Sequence, residues 1–143
     1  MLISTKGRYA LRVMIDLAEH DSGEYIPLNE IAQRQDISEK YLESIISVLS
    51  KAGYLNGLRG KGGGYKLTRK PGQYTVGSIL KLTEGSLAPV SCIGNKQNRC
   101  EKSAECKTLP MWEKLGGMID DYLEGITLAE LACDPQGQNN YFI

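Results

Sequence analysis

The 143-residue chain contains one histidine, one phenylalanine and one tryptophan. With so few large aromatics, its core has to rest on Leu, Ile, Val, Ala and the eight tyrosines. No Ser-His-Asp set is legible around the lone His20, and no paired carboxylates stand apart from helix faces, so an enzyme is not expected. No apolar run approaches the length of a membrane span. Lys6, Arg8 and Arg12 occupy the N-terminal region without the apolar stretch of an export signal. A cytoplasmic location is expected, with no membrane partner. In a reducing compartment Cys92, Cys100, Cys106 and Cys133 read as metal ligands or redox thiols rather than a disulfide framework.

Net charge is absent too, since seventeen Lys and Arg balance seventeen Asp and Glu. The balance hides a separation along the chain. Residues 1–72 carry 11 basic and 8 acidic groups, whereas residues 73–143 carry 6 and 9. From Lys51 to Lys70 there are six cations and no acid. Such a block predicts that one half faces a polyanion.

Apolar periodicity predicts a first helix from about Ser4 to His20, with Tyr9, Val13 and Leu17 on one face beside Ala10, Met14 and Ala18. A shorter helix fits Leu28 to Arg34. Ser38 can cap a third, whose buried side is Leu42, Ile45, Ile46 and Leu49 and which Gly53 stops. Two helices joined by so short a turn make a helix-turn-helix candidate. The outer face of the third helix carries Glu39, Lys40, Glu43, Ser44 and Ser47, groups suited to base edges and phosphates. Two short strands follow, 54–58 and 65–68, joined by Arg59-Gly60-Lys61-Gly62-Gly63-Gly64. A basic, glycine-rich hairpin directly after a helix-turn-helix is a wing whose tip enters a minor groove. A nucleotide-phosphate loop fits less well. These glycines lead into a strand, and no Gly-Lys-Ser/Thr ending is present.

Thr75 caps a predicted helix from Val76 to Leu82. The polar stretch from Cys92 to Cys106 has no periodicity. Leu109 to Leu123 then forms a long helix carrying Trp112, Leu115, Met118, Ile119 and Tyr122. Its apolar arc is wider than one small core requires, which predicts a partner helix across a two-fold axis. Thr127 and Glu130 form a capping box for a last helix, Leu128 to Ala132. The expected fold is mainly α with a small β-hairpin. It divides into a winged helix-turn-helix DNA-binding domain over 1–83, a cysteine-containing loop over 84–108, and a dimerisation helix with its tail over 109–143.

Three stretches carry a family resemblance: residues 1–10 (MLISTKGRYA), Ser38-Glu39-Lys40-Tyr41-Leu42-Glu43, and Leu58 through Tyr65. They are similar to the Rrf-two family of bacterial transcription regulators, over residues 1 to about 132. The resemblance implies a homodimer on a palindromic double-stranded operator. It implies that DNA is met by Ser38, Glu39, Lys40, Tyr41, Glu43 and Ser44 of the third helix and by Arg59, Gly60, Lys61 and Gly62 of the wing. One branch of the family, which three cysteines at this place resemble, senses iron–sulfur status, and on that reading a DNA-binding repressor is expected here. Another governs cysteine metabolism under the control of a bound partner protein, without a cluster. That branch resembles this chain in the N-terminal half and in the tail Tyr141-Phe142-Ile143.

Cys92, Cys100 and Cys106, spaced C-x7-C-x5-C, can converge on one metal centre, and thiolates are the usual ligands of iron–sulfur clusters. Lys96, Arg99, Lys102 and Lys107 would favour the thiolates. A 2Fe–2S cluster needs a fourth ligand. Relatives of the iron–sulfur branch place a histidine three residues after the third cysteine, where this chain has Leu109. Relatives that sense nitric oxide place an acid near the N-terminus, where it has Arg8. Glu105, Lys107 or a partner-subunit residue could serve instead. Zinc held by three thiolates, or a metal-free thiol switch, also fits the residues. Cys133, beyond the long helix, is left out of the set.

Overall fold

A computed structural model describes residues 3–94, 101, 102 and 104–133. The elements run α1 (Thr5–Glu19), α2 (Leu28–Gln35), α3 (Glu39–Lys51), β1 (Leu55–Leu58), β2 (Gly64–Leu67), a 3-10 turn (Pro71–Gln73), α4 (Val76–Glu84), α5 (Ser91–Gly94), α6 (Leu109–Glu124) and α7 (Leu128–Ala132). The strands pair antiparallel with Leu55 opposite Leu67 and Leu58 opposite Gly64. Mostly helical with one two-stranded hairpin, this is a winged helix-turn-helix.

Local chemistry sets the helix boundaries. The hydroxyls of Ser4, Ser38, Thr75 and Thr127 accept the backbone N–H groups of Gly7, Tyr41, Ser78 and Glu130, so each starts a helix by satisfying one orphan donor. α1 has no acid in its own first turn; Glu84, at the end of α4, supplies one. Its carboxylate accepts from the Ser4 amide at 3.1 Å and from the Ser4 hydroxyl. It fits because residue 7 is glycine, where a Cβ would collide with that carboxylate. Glu124 of α6 does the same for α4. It accepts from the Thr75 hydroxyl at 2.7 Å, over Gly77, and pairs with Lys81 at 3.0 Å.

Two apolar clusters form the interior. The larger joins α1, α2 and α3 through Ala10, Val13, Met14, Leu17, Ile31, Leu42, Ile45 and Leu49, all at most 1% exposed, and takes in the hairpin through the buried Leu55 and Leu67. Leu128 of α7 is buried in the same cluster. The segment before α7 reaches it through backbone pairing: Val76 N–H donates to Ile126 and Leu128 N–H to Tyr74, both at 2.9 Å. The smaller cluster, Val76, Leu80 and Leu87, takes in Ile119, Leu123 and Ile126.

The structure departs from the sequence reading at α4 and in the cysteine segment. α4 continues to Glu84 because Leu82 packs on the core and the glutamate reaches α1. The segment read as aperiodic contains one helical turn, α5. There Ile93 packs so tightly against α6 at Gly116 that a Cβ at that position would lie 2.9 Å from its Cδ1. Among the described residues no helix is long and apolar enough to cross a membrane.

Candidate nucleic-acid interface

The turn between α2 and α3 brings a polar helix face to the surface. Glu39, Lys40, Glu43, Ser44 and Ser47 are all exposed, while Leu42, Ile45, Ile46 and Leu49 are buried on the opposite side. Ser38 is taken up as the cap, and the Ser44 hydroxyl donates to the Tyr41 carbonyl at 2.7 Å. Tyr41 differs from its neighbours. Its ring is half-buried, edge-on to Tyr9 with centroids 5.9 Å apart, so it ties α3 to α1.

The hairpin stands beside this face, and Glu43, Ser47, Lys51, Leu58, Arg59 and Tyr65 line the groove between them. Arg59, Gly60, Lys61 and Gly62 are exposed at its tip. Gly60 turns there with φ +90°, a conformation that side chains resist. Gly64 serves a different purpose. A Cβ there would collide with the carbonyl of Ile26, because Ile26 and Tyr65 exchange two backbone hydrogen bonds of 2.9 and 2.8 Å. Ile26 is thus a third strand in miniature, which stiffens the wing.

Tyr74 fixes the base of the hairpin. Fully buried, its hydroxyl donates to the Tyr54 carbonyl and accepts from the amides of Thr68 and Arg69, each at 3.0 Å. The Arg69 guanidinium lies over the Tyr54 and Tyr74 rings, 4.9 and 5.5 Å from their centroids, and the Lys66 ammonium over Tyr25 at 4.6 Å. Some cations of the basic block therefore brace the wing, while Arg59 and Lys61 point outward from its tip.

Asp16 is the one buried charged side chain among the described residues. Burial pushes its carboxyl up. The Arg34 fork, at 2.7 and 3.0 Å, and the Gln35 amide, at 2.8 Å, outweigh burial and hold it below the usual carboxylate range. Neither Tyr74 nor Asp16 is flagged by the sequence, since only the tertiary fold shows that their polar atoms are buried together with partners.

The described cysteines lie outside α3 and the wing. Cys92 sits on α5 and Cys106 just before α6, both half-buried free thiols; Cys133 is exposed at the end of α7. Cys100 lies outside the described residues, as do Lys96, Arg99 and the tail. The Thr108 hydroxyl, 3.3 Å from the Cys106 sulfur, together with the amides of Thr108 and Leu109, holds that thiol below its ordinary pKa. Thr108 starts α6 without using its own side chain as a cap, so its hydroxyl is available to the sulfur. No group of three or more ligating side chains is assembled among the described residues. Leu109 is the first residue of α6 and offers no donor.

α6 carries an apolar row outward. Met111, Leu115, Met118 and Tyr122 are 38–59% exposed, and Trp112 is half-buried at its edge. Ile119, grouped with that set from its spacing, turns the other way. It packs on Val76, Leu80 and Leu87 of its own chain, and Met111 joins the outer row instead.

Residues 3–134 match the family described as Rrf2, iron-dependent transcriptional regulator. The chain is 38% identical over 138 residues to the HTH-type transcriptional regulator IscR of Aliivibrio salmonicida, covering 96% of this chain and 81% of the relative. The Vibrio parahaemolyticus protein of the same name is 37% identical over 134 residues, covering 94% and 79%. Among solved structures it superimposes on CymR, the global cysteine regulator of B. subtilis, with a TM-score of 0.77, 34% identity and coverage of 95% and 99%. For IscR of T. potens the values are 0.73, 34%, 100% and 97%.

Proposed function

The chain belongs to the Rrf2 family of transcriptional regulators, and from that premise we propose an operator-binding homodimer whose cysteine segment senses iron–sulfur or redox status. The observation that carries the DNA reading is the pairing of an exposed polar face on α3 with a braced wing whose tip is basic and rich in glycine. Glu39, Lys40, Glu43, Ser44 and Ser47 meet the major groove. Glu43 is the natural acceptor for a cytosine amino group, and the serines serve either base. Arg59 and Lys61 enter the adjacent minor groove or contact its phosphates, with Gly60 and Gly62 allowing close approach. The row Met111, Leu115, Met118 and Tyr122 packs against a second copy, which doubles the reading head and matches a palindromic operator.

The donor chemistry at the cysteine segment fits an iron–sulfur cluster, because Cys106 is held toward the thiolate form that ligates. Cys92, Cys100 and Cys106 would hold it. When bound, a 2Fe–2S cluster supplies a centre sensitive to redox state and oxidants. The protein's own part is structural, since the base of the segment rests on α6 through Ile93 and Gly116. Cluster binding at the segment is thereby felt by the dimer helix.

A second reading keeps the DNA-binding dimer and replaces the cluster with a regulatory partner protein. Leu109, with no donor, and the likeness to CymR favour it.

Protein purified without oxygen separates the two. A visible chromophore with bound iron and sulfide, lost on replacing Cys106 by Ala while the fold persists, supports the sensor. Absence of iron even after anaerobic reconstitution supports the partner-controlled regulator. For the DNA reading, replacing Arg59 and Lys61 together by Ala lowers the log–log salt slope of binding by about 0.9 per lost phosphate contact. Unchanged affinity and slope would remove the wing from the interface.

A further inference from the structure

The turn that presents α3 is held from outside by one arginine of α1. Arg12 donates from Nε to the Gln35 side-chain oxygen at 3.1 Å and from a terminal nitrogen to the Gln35 backbone carbonyl at 2.5 Å. The second bond satisfies an orphan carbonyl at the C-terminal end of α2, where a cation is also favoured by the helix dipole. The amide nitrogen of the same glutamine donates to Asp16 at 2.8 Å, so both ends of the Gln35 amide are fixed to α1. The Arg12 guanidinium also lies 4.8 Å over the Tyr9 ring, which takes Tyr41 of α3 edge-on.

What these contacts constrain is a strained corner. Asp36 follows Gln35 at φ +53°, the one positive φ outside glycine among the described residues. Ile37 then bonds back to the Ala32 carbonyl at 3.0 Å, and Ser38 caps α3. Such a conformation persists where its surroundings over-determine it. Here the surroundings are Arg12, Gln35 and Asp16. An exposed arginine on a DNA-binding unit is ordinarily a candidate phosphate contact. This one already commits two donors to Gln35 and its guanidinium face to the Tyr9 ring.

We propose that Arg12 and Gln35 are positioning residues for operator recognition, setting the angle at which α3 is presented without themselves contacting DNA. The inference rests on the DNA reading above. Base-edge contacts fail with a small rotation of the helix, whereas phosphate attraction tolerates it. The signature is therefore lost selectivity with retained electrostatics.

The test uses the full chain, a duplex selected by the wild type from a random pool, and a scrambled duplex of equal length. Arg12→Ala and Gln35→Met are each expected to weaken binding to the selected duplex about tenfold. Binding to the scrambled duplex and the salt slope stay unchanged. The double variant should be no worse than either single one, because the two residues act as one unit. Amide exchange at Ile37, measured without DNA, should quicken in both variants. A slope reduced by about 0.9 in Arg12→Ala would make it a phosphate contact and overturn the proposal. So would multiplicative losses, unchanged selectivity, or unchanged exchange at Ile37. A wild-type chain that selects no duplex at all would overturn the DNA reading instead, leaving the exchange measurement to judge the corner by itself.

Discussion

At the scale of single residues, two buried polar groups bear weight disproportionate to their size. Asp16 has its carboxyl pKa depressed in the folded state, so its contribution is fully present above the unfolded value near 3.9 and is lost as pH falls through the lower folded value. Stability is expected to fall on the acid side of about pH 4, and Asp16→Asn should flatten that limb. Removing one partner of a buried pair costs about 3–5 kcal/mol. Because the Arg34 side chain is 32% exposed and water can reclaim it, a loss of about 2 kcal/mol is expected here, measured by urea unfolding at pH 7 and pH 4. Tyr74→Phe removes one hydroxyl, takes away the bond from the Arg69 amide, and leaves the Thr68 amide and the Tyr54 carbonyl with only their mutual bond of 3.4 Å. The expected cost is about 1–3 kcal/mol with an unchanged denaturant slope. A loss of only a few tenths would mean that water fills the place.

At the scale of elements, α6 has two apolar sides with different employers. Met118→Glu puts a charge on the outer side and is expected to yield a folded monomer by sedimentation, with the unfolding temperature of the protomer preserved. Ile119→Asp puts the charge among Val76, Leu80 and Leu87 and should unfold the protomer itself. If Met118→Glu remained dimeric, the outer row would not be the interface. This helix also marks how far the sequence could be read. Ser4, Ser38, Thr75 and Thr127 announce their helices because capping is local chemistry, and the glycine-rich basic loop announces the wing for the same reason. Periodicity finds both apolar edges of α6 but cannot tell which meets its own chain, which is why spacing alone groups Ile119 with the outward row and leaves Met111 out of it. The carboxylates that serve the starts of α1 and α4, Glu84 and Glu124, come from elsewhere in the chain. Nothing near Gly7 or Gly77 in the sequence names them. The cysteine set was legible as residue types and spacing, while the hydroxyl of Thr108 beside Cys106 emerges only from the fold.

At the scale of the whole molecule, residues 125–132 turn the chain back after the long helix. α7 returns to the winged-helix core, with Leu128 fully buried and the bonds Val76–Ile126 and Leu128–Tyr74 closing the junction. The far end of α6 is thereby welded to the reading head, and Glu124 is fastened to Thr75 and Lys81. In the proposed dimer this turns the pair of recognition helices into a caliper of fixed gauge. An operator with one base pair inserted at its centre moves one half-site by about 3.4 Å and rotates it by about 34°. A jointed protein would follow the displaced half-site, but this one has no slack to do so. Binding to the stretched operator is expected to drop to the level of a single half-site. Removing Leu128 by substitution with Ala should soften that penalty, with quantitative binding to operators of graded spacing as the measurement.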